Sequence, residues 1–278
     1  MAGYLGDGEP TAKPVTTLSV VQMKQAGRKI VMITAYDALY ASLVDRAGVD
    51  LILVGDSVAP VLAGESTTIP ATVEQMIYHG RSVTRGVRRA LVVVDLPFLS
   101  YQVSIEEALR NAGRILKETG AGAVKLEGGA HFAPTVEALV KAGIPVMGHL
   151  GFTPQSVHQL GGFKIQGKQA DAADRLVEDA KALERAGAFA MVLELMPGPV
   201  GARVSEAVRI PTIGIGAGPG TDGQVLVLHD MLGLNEGFTP KFLKRYAELG
   251  RATVDAVSRF GQEVRDGAYP APEHTHGG

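Results

Sequence analysis

Residues 51–56 read LILVGD and residues 90–95 read ALVVVD, each an unbroken apolar run that ends in a carboxylate. Two more runs end the same way, AVKLE at 123–127 and AMVLE at 190–194. A strand covered on both faces reads as continuously apolar rather than alternating. It has no packing use for an acid at its tip. Four such tips meet only if the strands lie parallel, side by side. In a closed parallel barrel they converge at the carboxyl-terminal mouth, where α/β barrels carry their chemistry. The pattern predicts a divalent metal and a general base in one pocket.

Working outward, KIVMITA (29–35), IPVMGH (144–149), PTIGIG (211–216) and QVLVL (224–228) bring the apolar runs to eight. Helical stretches separate them, several ending at glycine: Gly48, Gly120, Gly143 and Gly187. Glycine there supplies the left-handed residue that stops a helix. The stretch 103–118 carries Ser104 as N-cap with Glu107 three residues on, a capping box. Strand–helix alternation repeated eight times predicts an α/β fold, a (β/α)8 TIM barrel, with a doubly wound open sheet as the competing architecture.

Three segments fall outside the repeat. Residues 15–27 read as a short N-terminal helix plugging the amino-terminal end of the barrel. Residues 240–265 read as a C-terminal helical extension. Phe242, Tyr246, Leu249, Val257, Phe260 and Val264 recur there at steps near three or four, so that face needs the barrel or another subunit as partner. The expected organisation is a disordered stretch 1–14, a single barrel domain 15–265 that includes this helix, and a flexible tail 266–278. The connections 57–72 and 150–172 are long, and long connections in compact domains are usually functional.

Among 278 residues, 27 are basic and 29 acidic, and no basic stripe marks a nucleic-acid surface. There is no cysteine, which excludes disulfides, thiolate catalysis and cysteine-ligated zinc. No signal-peptide pattern opens the chain, and no apolar run reaches the roughly 18 residues that span a bilayer. The expectation is a cytoplasmic protein without nucleic-acid or membrane partners.

Asp56, Asp95 and Glu127 offer hard oxygen ligands from three strand ends, a set that suits Mg²⁺. A single strand-end acid is more often a helix cap or an ion-pair partner; three at successive strand ends favour the metal. Lys125 shares a strand face with Glu127, because side chains alternate. It is read as an ammonium beside a bound oxyacid, with an internal ion pair to Glu127 or Asp95 and a Schiff-base lysine as alternatives. Glu194 stands apart from the three, and a carboxylate in an apolar wall suits proton abstraction; its bland reading is a helix cap. His149, in GHLG, reads as a donor to a substrate oxygen or as a structural histidine. GIGAG (214–218) resembles a phosphate-cradling loop, although glycine runs also occur wherever backbone turns tightly.

VGDS (54–57), YHGRSVTRG (78–86), DLPF (95–98), VKLEGG (124–129), GHLGFTPQS (148–156), GGFKIQG (161–167), VLE (192–194), IGIGAG (213–218) and TDGQVLVLHD (221–230) occur together and in order. The set resembles the ketopantoate hydroxymethyltransferase (3-methyl-2-oxobutanoate hydroxymethyltransferase) family over roughly residues 15–265. The resemblance implies a (β/α)8 barrel, one Mg²⁺ per subunit, a cytoplasmic homodecamer and the first step of pantothenate, and so coenzyme A, biosynthesis. It implies transfer of a hydroxymethyl group from 5,10-methylenetetrahydrofolate to 3-methyl-2-oxobutanoate, giving 2-dehydropantoate (ketopantoate). At matching positions it implies that Asp56 and Asp95 bind the metal with Glu127 in its shell. Ser57, Lys125 and the two aspartates would hold the oxoacid, and Glu194 would accept the proton. His149 is the further candidate for substrate contact. The rival within this chemistry is a metal-dependent lyase or mutase of the phosphoenolpyruvate mutase/isocitrate lyase type. A second rival is a non-catalytic barrel that binds or scaffolds.

Overall fold

Eight parallel strands close on themselves in sequence order. They are β1 (Ile30–Thr34), β2 (Leu51–Val54), β3 (Leu91–Asp95), β4 (Ala123–Lys125), β5 (Val146–Gly151), β6 (Ala190–Glu194), β7 (Thr212–Ile215) and β8 (Gly223–Leu226). The computed structural model describes residues 13–276 apart from Phe238. Ile30 of β1 sits in register with Gly223 of β8, which closes the ring. The open-sheet alternative is thereby excluded. Each apolar run predicted from sequence contains a strand, with shifts at the ends: β4 stops at Lys125, β8 runs from Gly223 to Leu226, and β5 runs from Val146 to Gly151. His149 therefore lies inside the strand rather than at its end.

Helices α1 (Thr17–Gln25), α2 (Ala38–Arg46), α3 (Val58–Leu62), α4 (Val73–Gly86) and α5 (Ile105–Thr119) fall in the first half of the chain. Helices α6 (Ala133–Lys141), α7 (Val157–Leu160), α8 (Ala170–Arg185), α9 (Gly198–Ala207), α10 (Leu228–Met231) and α11 (Leu249–Arg265) follow. The Ser104 hydroxyl accepts from the Glu107 amide at 3.1 Å and caps α5, while the Glu107 carboxylate turns to Arg110 and Asn111, so the expected capping box is half formed. Gly120 closes α5 at φ 76°, a conformation that other residues adopt only under strain.

Side-chain alternation fills the barrel. Met32, Leu53, Val93, Ala123, Met147, Val192 and Ile213 all point inward and form one buried cluster. Val20 and Met23 of α1 join this cluster from below, so the helix does plug the amino-terminal end. Burying each contributes roughly 1.5–3 kcal/mol. Lys24 pins the plug by an ion pair with Asp222 at 2.9 Å and by donating to the Ser205 carbonyl at 2.8 Å. With its lower half packed dry, the barrel leaves only the carboxyl-terminal mouth for polar side chains.

By contact the chain groups into two compact units, dividing after Leu226. In the second unit the helix is shorter than its periodicity predicts. Residues 240–248 are not helical, and the end of this stretch pairs back with residues 231–232. The Tyr246 amide donates to the Met231 carbonyl at 2.8 Å and the Leu249 amide to Leu232 at 2.9 Å. Helix α11 starts only where this pairing ends. Its Val254, Val257, Phe260 and Val264 are exposed. The stretch 266–276, expected as tail, contains a single 3-10 turn at Pro272–His274; most of the predicted disordered stretch 1–14 lies outside the described residues.

One GIGAG glycine, Gly218, serves packing, as does Gly201, which faces the same loop. A Cβ at Gly201 of α9 would strike the Ala217 carbonyl, and one at Gly218 would strike Gly198. Close approach of the β7–β8 connection to α9 thus accounts for glycine there.

Candidate active site

The inward-facing register that supplies Leu91 and Val93 to the core carries on to Asp95 at the tip of β3. The same alternation carries Ala123 on to Lys125 and Glu127, Met147 on to His149, and Val192 on to Glu194. The polar layer is the continuation of the apolar one, one step higher. Asp56 arrives differently. It lies two residues beyond β2 and out of phase with Leu51 and Leu53, in the turn that leads into α3. Gly55 makes this turn possible, since a Cβ there would strike the Ser57 hydroxyl.

Lys125 Nζ lies 2.8 Å from Asp95 Oδ1. The Asp56 amide donates to Asp95 Oδ2 at 3.0 Å. Lys125 Nζ also lies 3.3 Å from His149 Nδ1. His149 sits between two carboxylates, with Nδ1 3.3 Å from Glu127 Oε1 and Nε2 3.3 Å from Glu194 Oε2. Glu194 is therefore not isolated in an apolar wall as expected. One imidazole links it to the other acids, and it is the most exposed of the four, at 17% against 3% for Glu127. Ser57 exchanges a hydrogen bond of 2.8 Å with the Tyr36 hydroxyl. The structure brings Asp56, Asp95, Lys125, Glu127, His149 and Glu194 into one connected network, with Ser57 next to Asp56 in the chain and bonded to Tyr36. Asp95 and Glu127 each also accept a backbone amide at the start of a helical turn, from Asp56 and Gln155, and Asp95 pairs with Lys125, so capping and ion pairing operate here alongside the clustering.

The electrostatics follow from burial. Burial, then the charges of Asp95 and Glu127, push the Asp56 carboxyl well above its usual range. Burial also raises Asp95, opposed by Lys125. Burial would raise Glu127, but His149, Lys125 and the Gln155 amide outweigh it and hold it low. Burial would lower Lys125, yet Asp95, Glu127 and Asp56 hold it above the usual lysine range. Burial and Lys125 pull His149 down, while Glu127 and Glu194 lift it to about 9. Lys125 and His149 thus face four carboxyl groups, and the crowding that pushes Asp56 up is what a bound cation would relieve.

The donor set suits a hard cation. Asp95 Oδ1 lies against Lys125 Nζ at 2.8 Å and Glu127 Oε1 against His149 Nδ1 at 3.3 Å, and with Asp56 they crowd the oxygens of three buried acids into one mouth. Among the described residues no three His, Asp or Glu side chains are arranged as a ready-made cage. Asp95 is drawn towards Lys125, and Glu127 towards His149. Mg²⁺ needs no such cage, because it binds through one or two carboxylates and keeps its waters.

Two buried residues escaped the sequence reading. Gln155 donates through Nε2 to Asp56 Oδ2 at 2.8 Å, and its amide donates to Glu127 Oε2 at 3.0 Å. The Tyr101 hydroxyl lies 3.0 Å from Gln155 Oε1. Both sit in irregular connections, where no periodicity marks an inward side chain. Beside them opens a cavity of about 570 Å³ lined in part by Phe98, Tyr101, Phe132 and Gln159.

The position of His149 gives a direct test. In the metal-free protein its imidazole resonances should titrate near pH 9, measured by NMR. Glu194→Gln removes one of the two lifting partners and should move the midpoint down. An unmoved midpoint in that variant would place Glu194 out of contact.

A plugged (β/α)8 barrel with a buried lysine–carboxylate network at its carboxyl-terminal mouth is the architecture of a barrel enzyme. Comparison with known proteins specifies which. A family model described as ketopantoate hydroxymethyltransferase matches residues 14–272, and the chain belongs to that family. It is 54% identical over 263 residues to the 3-methyl-2-oxobutanoate hydroxymethyltransferase of Syntrophus aciditrophicus (strain SB), covering 95% of this chain and 97% of the relative. It is 55% identical over 261 residues to the enzyme of that name from Oleidesulfovibrio alaskensis, covering 94% of this chain and 90% of the relative. This chain is accordingly a transferase. Among solved structures, phosphonopyruvate hydrolase in complex with oxalate and Mg²⁺ superposes with a TM-score of 0.60 at 14% identity, covering 94% of this chain and 93% of that one. A 2,3-dimethylmalate lyase of the phosphoenolpyruvate mutase/isocitrate lyase superfamily gives 0.59 at 17%, covering 95% and 93%. At such identities the likeness is one of fold.

Proposed function

We propose that this protein transfers a hydroxymethyl group from 5,10-methylenetetrahydrofolate to 3-methyl-2-oxobutanoate, giving ketopantoate, the first step of pantothenate biosynthesis in the cytoplasm. The observation that carries this reading is the arrangement of the acids. Asp56 and Asp95 share one buried cluster with Lys125, while the more exposed Glu194 stands one imidazole away. Homology to relatives named for this activity supports the oxoacid substrate and the group transferred.

Asp56 and Asp95 would hold Mg²⁺, with Glu127 beside them. The cation, when bound, polarises the 2-oxo group and the carboxylate of the oxoacid. Ser57 and Lys125 orient the oxoacid, and Lys125 stabilises negative charge as it develops on the 2-oxo oxygen. Glu194 takes the proton from C3. His149, held between Glu127 and Glu194, fixes the direction of the Glu194 carboxylate. The C3 electron pair forms the new bond to the methylene carbon as one of that carbon's two bonds to folate nitrogen breaks. Water then replaces the second nitrogen and supplies the hydroxyl, and the proton from C3 and one from water end on the two nitrogens of the departing tetrahydrofolate. Incubation with 3-methyl-2-oxobutanoate, Mg²⁺ and methylenetetrahydrofolate should yield ketopantoate. No ketopantoate under these conditions would refute the reading.

The same reading has the chain act as a homo-oligomer, the family form being a decamer. An apolar helix face left exposed is the usual mark of an interface, and α11 presents one. The wild-type protein should sediment as a large assembly at micromolar concentration. Val257→Lys combined with Phe260→Lys should shift it towards smaller species. A wild-type protein that sediments only as monomer would end this proposal.

A further inference from the structure

We infer that Gln155 is the positioning residue that sets the separation of the Asp56 and Glu127 carboxylates, and through them the cation affinity of the site. The inference rests on the proposed cation site, although not on the identity of the reaction. Asp56 follows β2 and Glu127 follows β4, two strands that are not neighbours in the barrel. Gln155, beyond β5, touches both. Its side chain donates to Asp56 Oδ2 at 2.8 Å and its own backbone amide donates to Glu127 Oε2 at 3.0 Å. One residue therefore fixes one oxygen of each carboxylate.

The orientation of the amide is enforced from behind. Gln155 Oε1 faces the Tyr101 hydroxyl and Gln102 Nε2, both at 3.0 Å. Gln102 Nε2 can only donate, so Oε1 must be the acceptor and Nε2 must point forward. There it also donates to the Leu96 carbonyl at 3.0 Å, which uses its second proton. The Tyr101 hydroxyl accepts from the Glu127 amide at 3.1 Å, so it braces the Glu127 backbone as well. Gln155 is 4% exposed and Tyr101 2% exposed. A polar side chain buried this deeply with every bonding group used is rigid, and rigidity is what a ligand-orienting residue needs. Residue 155 does not reach Asp95, Lys125 or Glu194 through any of these bonds, so its effect should fall on the cation and not on the proton acceptor.

The test is calorimetric titration of Mg²⁺ alone into the full-length, chelator-treated protein, with no oxoacid or folate present. Gln155→Leu should bind Mg²⁺ about 10- to 100-fold more weakly than wild type, the usual cost of losing a group that orients a metal ligand. Saturating Mg²⁺ should then restore C3 proton exchange to near the wild-type rate, because Glu194 and Lys125 are untouched. A general structural defect would not be rescued by the cation. Should Gln155→Leu not fold, Tyr101→Phe loosens the same amide from behind, and its Mg²⁺ affinity should fall about fivefold, as for one lost hydrogen bond. Wild-type affinity in a folded Gln155→Leu, or in Tyr101→Phe where the first variant is lost, overturns the inference. So does exchange that stays lost at saturating Mg²⁺. Weakened Mg²⁺ binding in a protein that makes no ketopantoate would instead reject the proposed reaction and leave the role of Gln155 standing.

Discussion

Glu194→Gln is expected to lose C3 proton exchange of 3-methyl-2-oxobutanoate in deuterated water by about 10²- to 10⁴-fold, the usual contribution of a positioned general base. The substitution keeps the size of the side chain and its place beside His149. It removes the proton acceptor only. Oxoacid and Mg²⁺ binding should persist, because Asp56, Asp95 and Lys125 make no bond to Glu194. Exchange needs no folate, so the measurement isolates proton removal from one-carbon transfer. Near wild-type exchange in the variant would move the base elsewhere. His149, 3.3 Å away, would be the next residue to test in the same assay.

Two substitutions of the same chemical kind should shift stability in opposite directions. Asp95→Asn removes the carboxylate that lies 2.8 Å from Lys125 Nζ and leaves a buried ammonium without that partner. Breaking a buried pair in this way costs on the order of 3 kcal/mol. Asp56 is buried beside Asp95 and Glu127, and these surroundings already disfavour its charge. Asp56→Asn relieves that repulsion and keeps an oxygen for Gln155. In the presence of chelator, thermal denaturation should show Asp95→Asn below wild type and Asp56→Asn above it. Added Mg²⁺ should reverse the second comparison. A site filled to 100 times its Kd gains about 2.7 kcal/mol from the ligand, which wild type would gain and Asp56→Asn would forfeit. Equal shifts for both variants, or Mg²⁺ stabilisation surviving in Asp56→Asn, would contradict the placement of these charges.

The contrast between these aspartates also separates the legible part of the site from the rest. Asp95, Lys125, His149 and Glu194 continue the inward alternation of β3, β4, β5 and β6. Period-two geometry therefore placed them as soon as the strands were recognised. Asp56 ends an apolar run just as Asp95 does, yet it points inward only because the chain turns at Gly55. Helix α11 shows the opposite failure. Its apolar spacing extends back to Phe242, but the amides of Tyr246 and Leu249 are claimed by Met231 and Leu232, and no periodicity reveals that competition.

By itself the sequence determined the barrel, its plug helix and the acidic layer at the mouth. These rest on local rules: continuous apolar strands must be covered on both faces, and side chains alternate along them. Only the tertiary structure decided how the acids are partnered. Gln155 meets Asp56 across 99 residues of chain, and His149 joins Glu127 to Glu194 because β5 lies between β4 and β6. Such pairings are fixed by barrel closure and by the paths of irregular loops, where backbone and side-chain hydrogen bonds replace any repeating pattern as the organising force.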